Sequence, residues 1–316
     1  YGGTTAFCTA GSDPSATITG TTGGTFTATP SGLTIDASTG TIDLSASTAA
    51  TYDVTYTPPV LEQLGSDIDG VANADQFGYA VSMSNDGNRM VIGARFDDTP
   101  GSNAGSVEVY EYSSGSWTKM GSTINGEAAG DEFGYAVSIN GAGDRIVVGA
   151  IFKDGGGSNS GHARVFDWNG TAWTQVGADI NGEAANDNSG ERVSLSADGT
   201  IVTIGAAGND GNGSNSGHVR VYKNISGVWT QIGIDINGEA GLKFGTGISM
   251  SSNGTTLASG SPNYNSFAGL VRVYDFSNLL SNERFSKSGF VVYPNPVSNN
   301  LSIENPFSGY LQLQVF

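Results

Sequence analysis

The sequence predicts an all-β fold assembled from tandem copies of one four-stranded unit, and three observations support this prediction. A Gly-x-x-Ile-Asx-Gly phrase begins at Gly65, Gly121, Gly177 and Gly233, with a constant period of 56 residues. Each copy contains four short β-type stretches separated by turns rich in Gly, Asn and Asp. No window shows a helical period with caps. A constant period indicates one supersecondary unit that buries its apolar faces against its neighbours.

The second copy shows the order of the elements. Its predicted strands lie at residues 134–139, 145–150, 162–166 and 173–176. The stretch Ile146-Val147-Val148 is apolar on both strand faces, as expected for a strand covered on both sides. Four-stranded sheets that cover one another around an axis form a β-propeller. The sequence therefore predicts a propeller with four blades, at the small end of the usual range of roughly 4 to 8.

The two ends of the repeat region are expected to complete each other. Residues 60–66 align with the outermost strand of a copy, whereas the last copy supplies three strands and ends at Tyr274. We expect residues 60–66 to become the fourth strand of the last sheet and to close the ring. This closure would remove two exposed sheet edges. The predicted propeller spans residues 59–276.

Phe-Gly and Gly-Ala pairs recur at fixed places in the copies. The segments 75–82 with 91–94, and 131–138 with 147–150, resemble FG-GAP repeats, the units of the integrin α-subunit propeller, and are more similar to the bacterial variant in secreted proteins. The third copy has Ser189 in place of the Phe, and the fourth copy is shorter but keeps Phe244-Gly245. The integrin calcium loop is replaced by the short turn 84–88, which cannot supply six or more oxygen ligands. The family's calcium sites are therefore not transferred to this chain.

The segments on either side of the repeats have different character. Residues 1–58 are rich in Thr, Ser and Gly and resemble a small Ig-like β-sandwich module of Bacteroidetes-type surface proteins. Pro58-Pro59 marks the hinge to the propeller. The single cysteine, Cys8, excludes an internal disulfide framework and a zinc site built on several cysteines.

The C-terminal segment carries a Tyr-Pro-Asn-Pro sequence followed by a strand-like stretch. The residues are Tyr293, Pro294, Asn295 and Pro296. They resemble the start of a type A sorting domain of the type IX secretion system, with residues 277–289 as a linker and 290–316 as part of the domain. The resemblance implies the type IX secretion machinery as a partner, and a secreted or outer cell-surface location.

Composition excludes several classes of partner. The formal net charge is −17, and binding to nucleic acid requires clustered Lys and Arg. No stretch approaches the roughly 20 apolar residues of a membrane-spanning helix. We therefore expect neither a nucleic-acid partner nor a membrane span.

Acidic and amide side chains concentrate where a propeller exposes the crossings between blades and the loops between second and third strands. Two interpretations stay open: these residues form turns, or they bind a ligand or calcium through their oxygens. The best calcium candidates are Asp67, Asp69, Asn73 and Asp75. The candidate ligand-binding residues are Asp67, Asp69, Asp75, Asn125, Glu127, Asp131, Asn181, Glu183, Asp187, Asn237 and Glu239.

Other recurring side chains are predicted to be structural. His162 and His218 are repeat-equivalent, which favours a repeated structural role, and Trp117, Trp173 and Trp229 are expected to pack between blades. No nucleophile elbow, zincin motif or phosphate-binding loop is present, so no enzymatic activity is expected. A carboxylate pair for glycoside hydrolysis is the lesser alternative.

Two non-enzymatic functions follow. The first is an adhesin-like binding protein that uses a propeller loop face to recognise an extracellular protein or glycan. The alternative is a structural component of a surface layer or extracellular filament, in which copies of the chain associate with one another.

Overall fold

The computed structural model describes residues 7, 10–280, 291–293 and 302–304, and divides the chain into two compact units, residues 1–64 and 65–316. The described residues form an all-β protein, which confirms the predicted fold class. Its helices, α1 (Tyr264–Phe267) and α2 (Ser277–Leu280), are single turns. None of the described helices has the length and apolar character needed to cross a membrane.

The first unit contains two small antiparallel pairs. Strand β1 (Thr25–Thr29) pairs with β4 (Asp53–Thr57), and β2 (Thr34–Ile35) pairs with β3 (Ile42–Asp43). The Phe26 ring is buried and lies 4.8 Å from the Tyr56 ring across the first pair. Ile42 and Leu44 complete a small apolar core. Cys8 lies outside the described residues.

The second unit contains four successive antiparallel sheets, one for each repeat. The first sheet has β5 (Phe77–Met83), β6 (Arg89–Ala94), β7 (Ser106–Ser113), β8 (Ser116–Lys119) and β9 (Ile124–Asn125). The second has β10 (Phe133–Ile139), β11 (Arg145–Ala150), β12 (His162–Trp168), β13 (Trp173–Gln175) and β14 (Ile180–Asn181). The third has β15 (Arg192–Leu195), β16 (Ile201–Ala206), β17 (His218–Ile225), β18 (Val228–Gln231) and β19 (Ile236–Asn237). The fourth has β20 (Gly247–Met250), β21 (Thr256–Ser261) and β22 (Leu270–Asp275).

Within each full sheet the first four strands pair in sequence order, and the short fifth strand pairs with the start of the third. This fifth strand turns the chain towards the next sheet. Near the C-terminus, β23 (Val291–Tyr293) pairs with β24 (Ser302–Glu304). Pro294, Asn295 and Pro296 of the predicted sorting signal lie outside the described residues.

Successive sheets bury their faces against each other. Val107 and Val109 of the first sheet share an apolar cluster with Val137 and Ile139 of the second. The equivalent strands of the second and third sheets form the next cluster, and those of the third and fourth sheets form another. The core of the unit is therefore a series of sheet-to-sheet interfaces, as the fixed period predicts.

The recurring glycines allow this close packing. A Cβ atom on Gly149 would lie 2.0 Å from the carbonyl oxygen of Gly190 in the next sheet, and one on Gly93 would lie 2.2 Å from that of Gly134. Gly134 also has a φ of +91°, in the region that favours glycine. The Gly of each Gly-Ala pair thus lies against the Gly at the Phe-Gly position of the following repeat, which is Ser189-Gly190 in the third repeat.

The structure differs from the sequence prediction at the closing strand. Residues 60–66 form no strand, and the fourth sheet contains three strands among the described residues. Val60 and Leu61 are 75% and 105% exposed, so the start of this segment lacks the burial that a closing strand requires, and the preceding Pro58 and Pro59 offer no backbone donors. The outer faces of the first and fourth sheets are also exposed, so the four sheets do not close on themselves.

Candidate functional site

The crossings between sheets and the loops between second and third strands lie together, and we call this surface the loop face. Its backbone is bonded across repeats in the same way three times. Gly130 N–H donates to the Ser102 carbonyl, Asn186 to Ser158, and Gly241 to Ser214, at 2.8, 2.9 and 2.8 Å. These bonds place both loop classes on one face in these repeats.

Asp131 and Asp187 hold the crossings together and do not face solvent. Each is buried, and the Asp131 carboxylate accepts the Ala128 N–H at 3.1 Å. The Asp187 carboxylate accepts the Ala184 N–H at 3.0 Å and the Asn209 amide at 3.1 Å. Burial and these bonds favour the turn-forming interpretation for Asp131 and Asp187, and their role as ligand-binding residues stays a prediction.

Most of the other predicted site residues are exposed on the loop face. Asp75 is partly buried, and desolvation together with the nearby charges of Asp97 and Asp98 raises the pKa of its carboxyl. Among the described residues, the clusters of three or more acidic or imidazole groups do not include Asp67, Asp69 or Asp75. The exposed predicted residues are Asp67, Asp69, Asn73, Asn125, Glu127, Asn181, Glu183, Asn237 and Glu239.

Two clusters on the loop face instead combine a buried histidine with two carboxylates. The first consists of Glu127, His162 and Asp179, and the second of Glu183, His218 and Asp235. In each, one ligand atom from every residue lies within 4.8 Å of the other two. The two clusters are repeat-equivalent because all three positions differ by 56.

The first cluster is partly satisfied by its own contacts. His162 Nδ1 lies 3.3 Å from Asp179 Oδ2. This contact and the Gln175 amide lower the pKa of Asp179 to about 2, against the opposing effect of burial. Lys153 Nζ lies 3.0 Å from Glu127, and an Arg164 guanidinium nitrogen lies 3.2 Å from the same carboxylate.

The second cluster is looser and more negative. The His218 side chain is 1% exposed, and neither of its ring nitrogens has a hydrogen-bond partner in the described part of the chain. Its Nδ1 lies 3.9 Å from Asp235 and 4.0 Å from Glu183. Burial, aided by the charge of Arg220, lowers the pKa of His218 to about 4. Asn209 stands where the first cluster has Lys153, so one cation fewer competes for the carboxylates.

One imidazole nitrogen and two carboxylates form a donor set suited to zinc and similar divalent transition metals, because a neutral imidazole is the form that coordinates a metal. Sequence reasoning missed Asp179 and Asp235, and assigned both histidines a structural role. The signal that identifies these two residues is that Glu, His and Asp recur together with the same spacing of 56 residues. Glu, His and Asp appear together in these two repeats, whereas the first repeat has Val71, Ser106 and Thr123 at the same places.

Comparison with known proteins supports the repeat class. Residues 67–110 and 123–166 match the model of the FG-GAP repeat. The predicted resemblance to FG-GAP repeats is confirmed for the first two repeats. No curated protein matches the chain.

Several solved structures are similar to the chain. Hydrazine synthase of Kuenenia stuttgartiensis is 15% identical with a TM-score of 0.42, and the match covers 68% of this chain and 51% of that protein. A protein described as a 6-phosphogluconolactonase, from Bacteroides uniformis, is 12% identical with a TM-score of 0.43, and the match covers 77% of this chain and 59% of that one. The chain thus spans about half to three fifths of the length of these proteins.

Proposed function

We propose that this chain is a secreted or cell-surface binding protein whose loop face binds an extracellular protein or glycan. In this proposal the four sheets are propeller blades, residues 1–58 form an Ig-like module, and residues 290–316 begin a type IX sorting domain. The sheets act as a rigid scaffold, and the loops carry the binding groups. Binding, rather than catalysis, is the activity of this face.

The observation that carries the proposal is the Glu183–His218–Asp235 cluster. A buried imidazole with no hydrogen-bond partner for either nitrogen among the described residues costs stability, so its position beside two carboxylates favours a bound group. A tetrahedral zinc site with bonds of roughly 2.0 to 2.2 Å places its ligand atoms about 3.3 to 3.6 Å apart. Shortening the observed 3.9 and 4.0 Å separations needs only small movements of the partly exposed Glu183 and Asp235 side chains.

The cation proposed for this face is therefore a divalent transition metal, with calcium as the alternative from the sequence. Calcium prefers six or more oxygen ligands, and a histidine nitrogen does not suit it. A metal held at this cluster would still have open positions towards solvent, where a carboxylate or hydroxyl of a glycan or protein could complete the coordination.

The experiment is binding of the full chain to glycan and protein arrays, with added Zn²⁺, with added Ca²⁺ and with EDTA. We expect selective capture that requires Zn²⁺ and is lost in the double variant Glu183→Gln/Asp235→Asn. Asp86→Asn is the matched control, because it removes an acidic group from the turn between first and second strands. Capture that survives in the double variant, or no capture by the native chain, would contradict the proposal.

Export is tested separately. In a bacterium that has a type IX system, the native protein should be exported, and replacement of Pro294, Asn295 and Pro296 by Ala should retain it inside the cell. Equal export of the two proteins would remove the sorting domain from the proposal.

A further inference from the structure

The first sheet has an exposed apolar face. The equivalent face of the following sheet is covered. Val81 and Met83 are 60% and 50% exposed, whereas their equivalents Val137 and Ile139 are 9% and 6% exposed. The difference has a simple origin. Val137 and Ile139 are covered by the preceding sheet, and no sheet of this unit precedes the first one.

The fourth sheet exposes the opposite face. Val271 and Val273 are 70% and 67% exposed, whereas the equivalent Val107 and Val109 of the first sheet are 0% and 2% exposed. Val107 and Val109 are covered by the following sheet, which contributes Val137. The two open faces are therefore the two halves of one interface that the chain already forms between its own successive sheets.

The space around equivalent glycines differs between the covered faces and the two open faces in the same way. A Cβ on Gly134 would lie 2.4 Å from the Ser106 carbonyl, but one on Gly78, the equivalent in the first sheet, would meet nothing within 4 Å. At the other end, a Cβ on Gly260 would meet no atom closer than 3.7 Å, although its equivalent Gly93 is in tight contact with Gly134.

A groove marks the unfilled place on the fourth sheet. It has a volume of about 550 Å³ and its lining includes Gly260, Gly269, Leu270 and Val271. The equivalent positions in the first repeat are Gly93, Gly105, Ser106 and Val107, and these residues receive the Phe133-Gly134 strand start, with Gly105 bridged in parallel to Phe133. The groove therefore has the lining that receives a Phe-Gly pair.

The turns between first and second strands add a directional series of hydrogen bonds. Asn85 N–H donates to the Gly141 carbonyl, Gly141 to Ala197, and Ala197 to Ser252, at 3.1, 2.9 and 2.8 Å. Ser252 is the last residue of this series and Asn85 is the first. The Asn85 carbonyl has the same place in its turn as the carbonyls that accept these bonds. A following first sheet would extend it from Ser252 to Asn85.

We propose that a second copy of this chain occupies the open face, with its first sheet packed on the fourth sheet of the first copy. Its Phe77-Gly78 enters the groove, and its Val81 and Met83 cover Val271 and Val273. The interface is continuous with the three interfaces inside each chain and repeats their chemistry. The chain's own ends do not cover one another, since both faces are exposed in the same structure.

Such a contact joins two different surfaces, so it produces a closed ring or an open filament. Two chains would supply eight sheets, which lies within the usual range of roughly 4 to 8 blades for a closed propeller. This association is independent of ligand binding at the loop face, and it provides a physical basis for the alternative function as a structural component.

The test uses two single-cysteine variants of the full chain, Val81→Cys and Val273→Cys, each in a Cys8→Ser background. When they are mixed and oxidised, we expect a disulfide-linked dimer that contains one of each, and far less dimer from either variant alone. Equal dimer yields from the mixture and from the single variants would overturn the proposal, as would no dimer in any sample.

One further variant, which carries Val81→Cys and Val273→Cys in the same chain, distinguishes association of two copies from closure of one chain on itself. A disulfide that forms within single chains at all protein concentrations would overturn the proposal. Sedimentation of the native chain should show association that Val81→Arg weakens at least tenfold. Val228→Arg should leave it unchanged, because Val228 is similarly exposed, at 61%, but lies on β18, away from both open faces.

Discussion

The indole of Trp173 donates a hydrogen bond of 3.0 Å to the carbonyl oxygen of Met120 in the preceding repeat. Trp229 makes the same bond to Val176, at 2.9 Å. The recurrence of tryptophan at this place is therefore explained by a bond between successive sheets, as the sequence predicted for inter-blade packing. Both rings are partly buried, so each bond is shielded from water.

Trp173→Phe should destabilise the protein, because it retains most of the ring but leaves the Met120 carbonyl without its donor. The expected loss in the free energy of unfolding is about 1 kcal/mol, the usual net value of such a bond. Urea denaturation followed by circular dichroism measures it. Thr230→Ala on the exposed face of β18 is the control and should change stability by less than about 0.5 kcal/mol. An unchanged midpoint in Trp173→Phe would contradict this role.

Gly149→Ala and Gly260→Ala form a matched pair at equivalent positions. A Cβ at position 149 would lie 2.0 Å from the Gly190 carbonyl, so the backbones of two sheets must separate. We expect Gly149→Ala to lower the free energy of unfolding by about 1 to 3 kcal/mol, the usual cost of overpacking. At position 260 the nearest atom of the same chain would be 3.7 Å away, so Gly260→Ala should leave the stability of the single chain unchanged. Thermal unfolding distinguishes them, and equal melting temperatures would contradict the packing argument.

The sheets and their order could be predicted from the sequence because each repeat carries its own evidence. Buried stretches such as Ile146-Val147-Val148 are apolar on both faces, and the glycines of the Phe-Gly and Gly-Ala pairs recur where two backbones meet. Short-range patterns of this kind depend only on the repeat itself and its nearest neighbours.

The closing strand and the histidine clusters could not be predicted in the same way. Residues 60–66 align with an outer strand, but the alignment does not show whether the last sheet is near enough to pair with them. Asp179 and Asp235 look like ordinary turn residues in the sequence. Their proximity to His162 and His218 depends on how a crossing folds back over the third strand of its sheet, and only the shared spacing of 56 indicates it.

His218 should make the stability of the protein depend on pH. Its pKa in the folded state is about 4, below the unfolded value of 6.5, because burial and Arg220 disfavour the charged imidazole. The neutral form therefore stabilises the fold above pH 6.5, and this contribution is lost as the pH falls from 6.5 towards 4. The full shift corresponds to up to about 3 kcal/mol. Asp179 adds a separate loss at lower pH, since its pKa of about 2 lies below the ordinary 3.8.

Chemical denaturation at a series of pH values tests this assignment without added metal. The native chain should lose stability between pH 6.5 and pH 4, and His218→Gln should show a shallower slope in that interval, even if it is less stable at pH 7. Asp179→Asn is the control, and it should alter the slope mainly below pH 4. Parallel curves for the native chain and His218→Gln would show that His218 does not cause the dependence.

Lys153 and Asn209 occupy equivalent positions beside the two histidine clusters, and their exchange should exchange the metal-binding properties of the two sites. Lys153 neutralises Glu127 from 3.0 Å, whereas Asn209 carries no charge. We expect the native chain to bind one Zn²⁺ at the Glu183–His218–Asp235 cluster at pH 7. Asn209→Lys should weaken that binding at least tenfold, and Lys153→Asn should add a second, weaker equivalent at the first cluster. Isothermal titration calorimetry gives both the affinity and the number of sites. Zn²⁺ binding that persists in His218→Gln with unchanged stoichiometry would place the metal elsewhere.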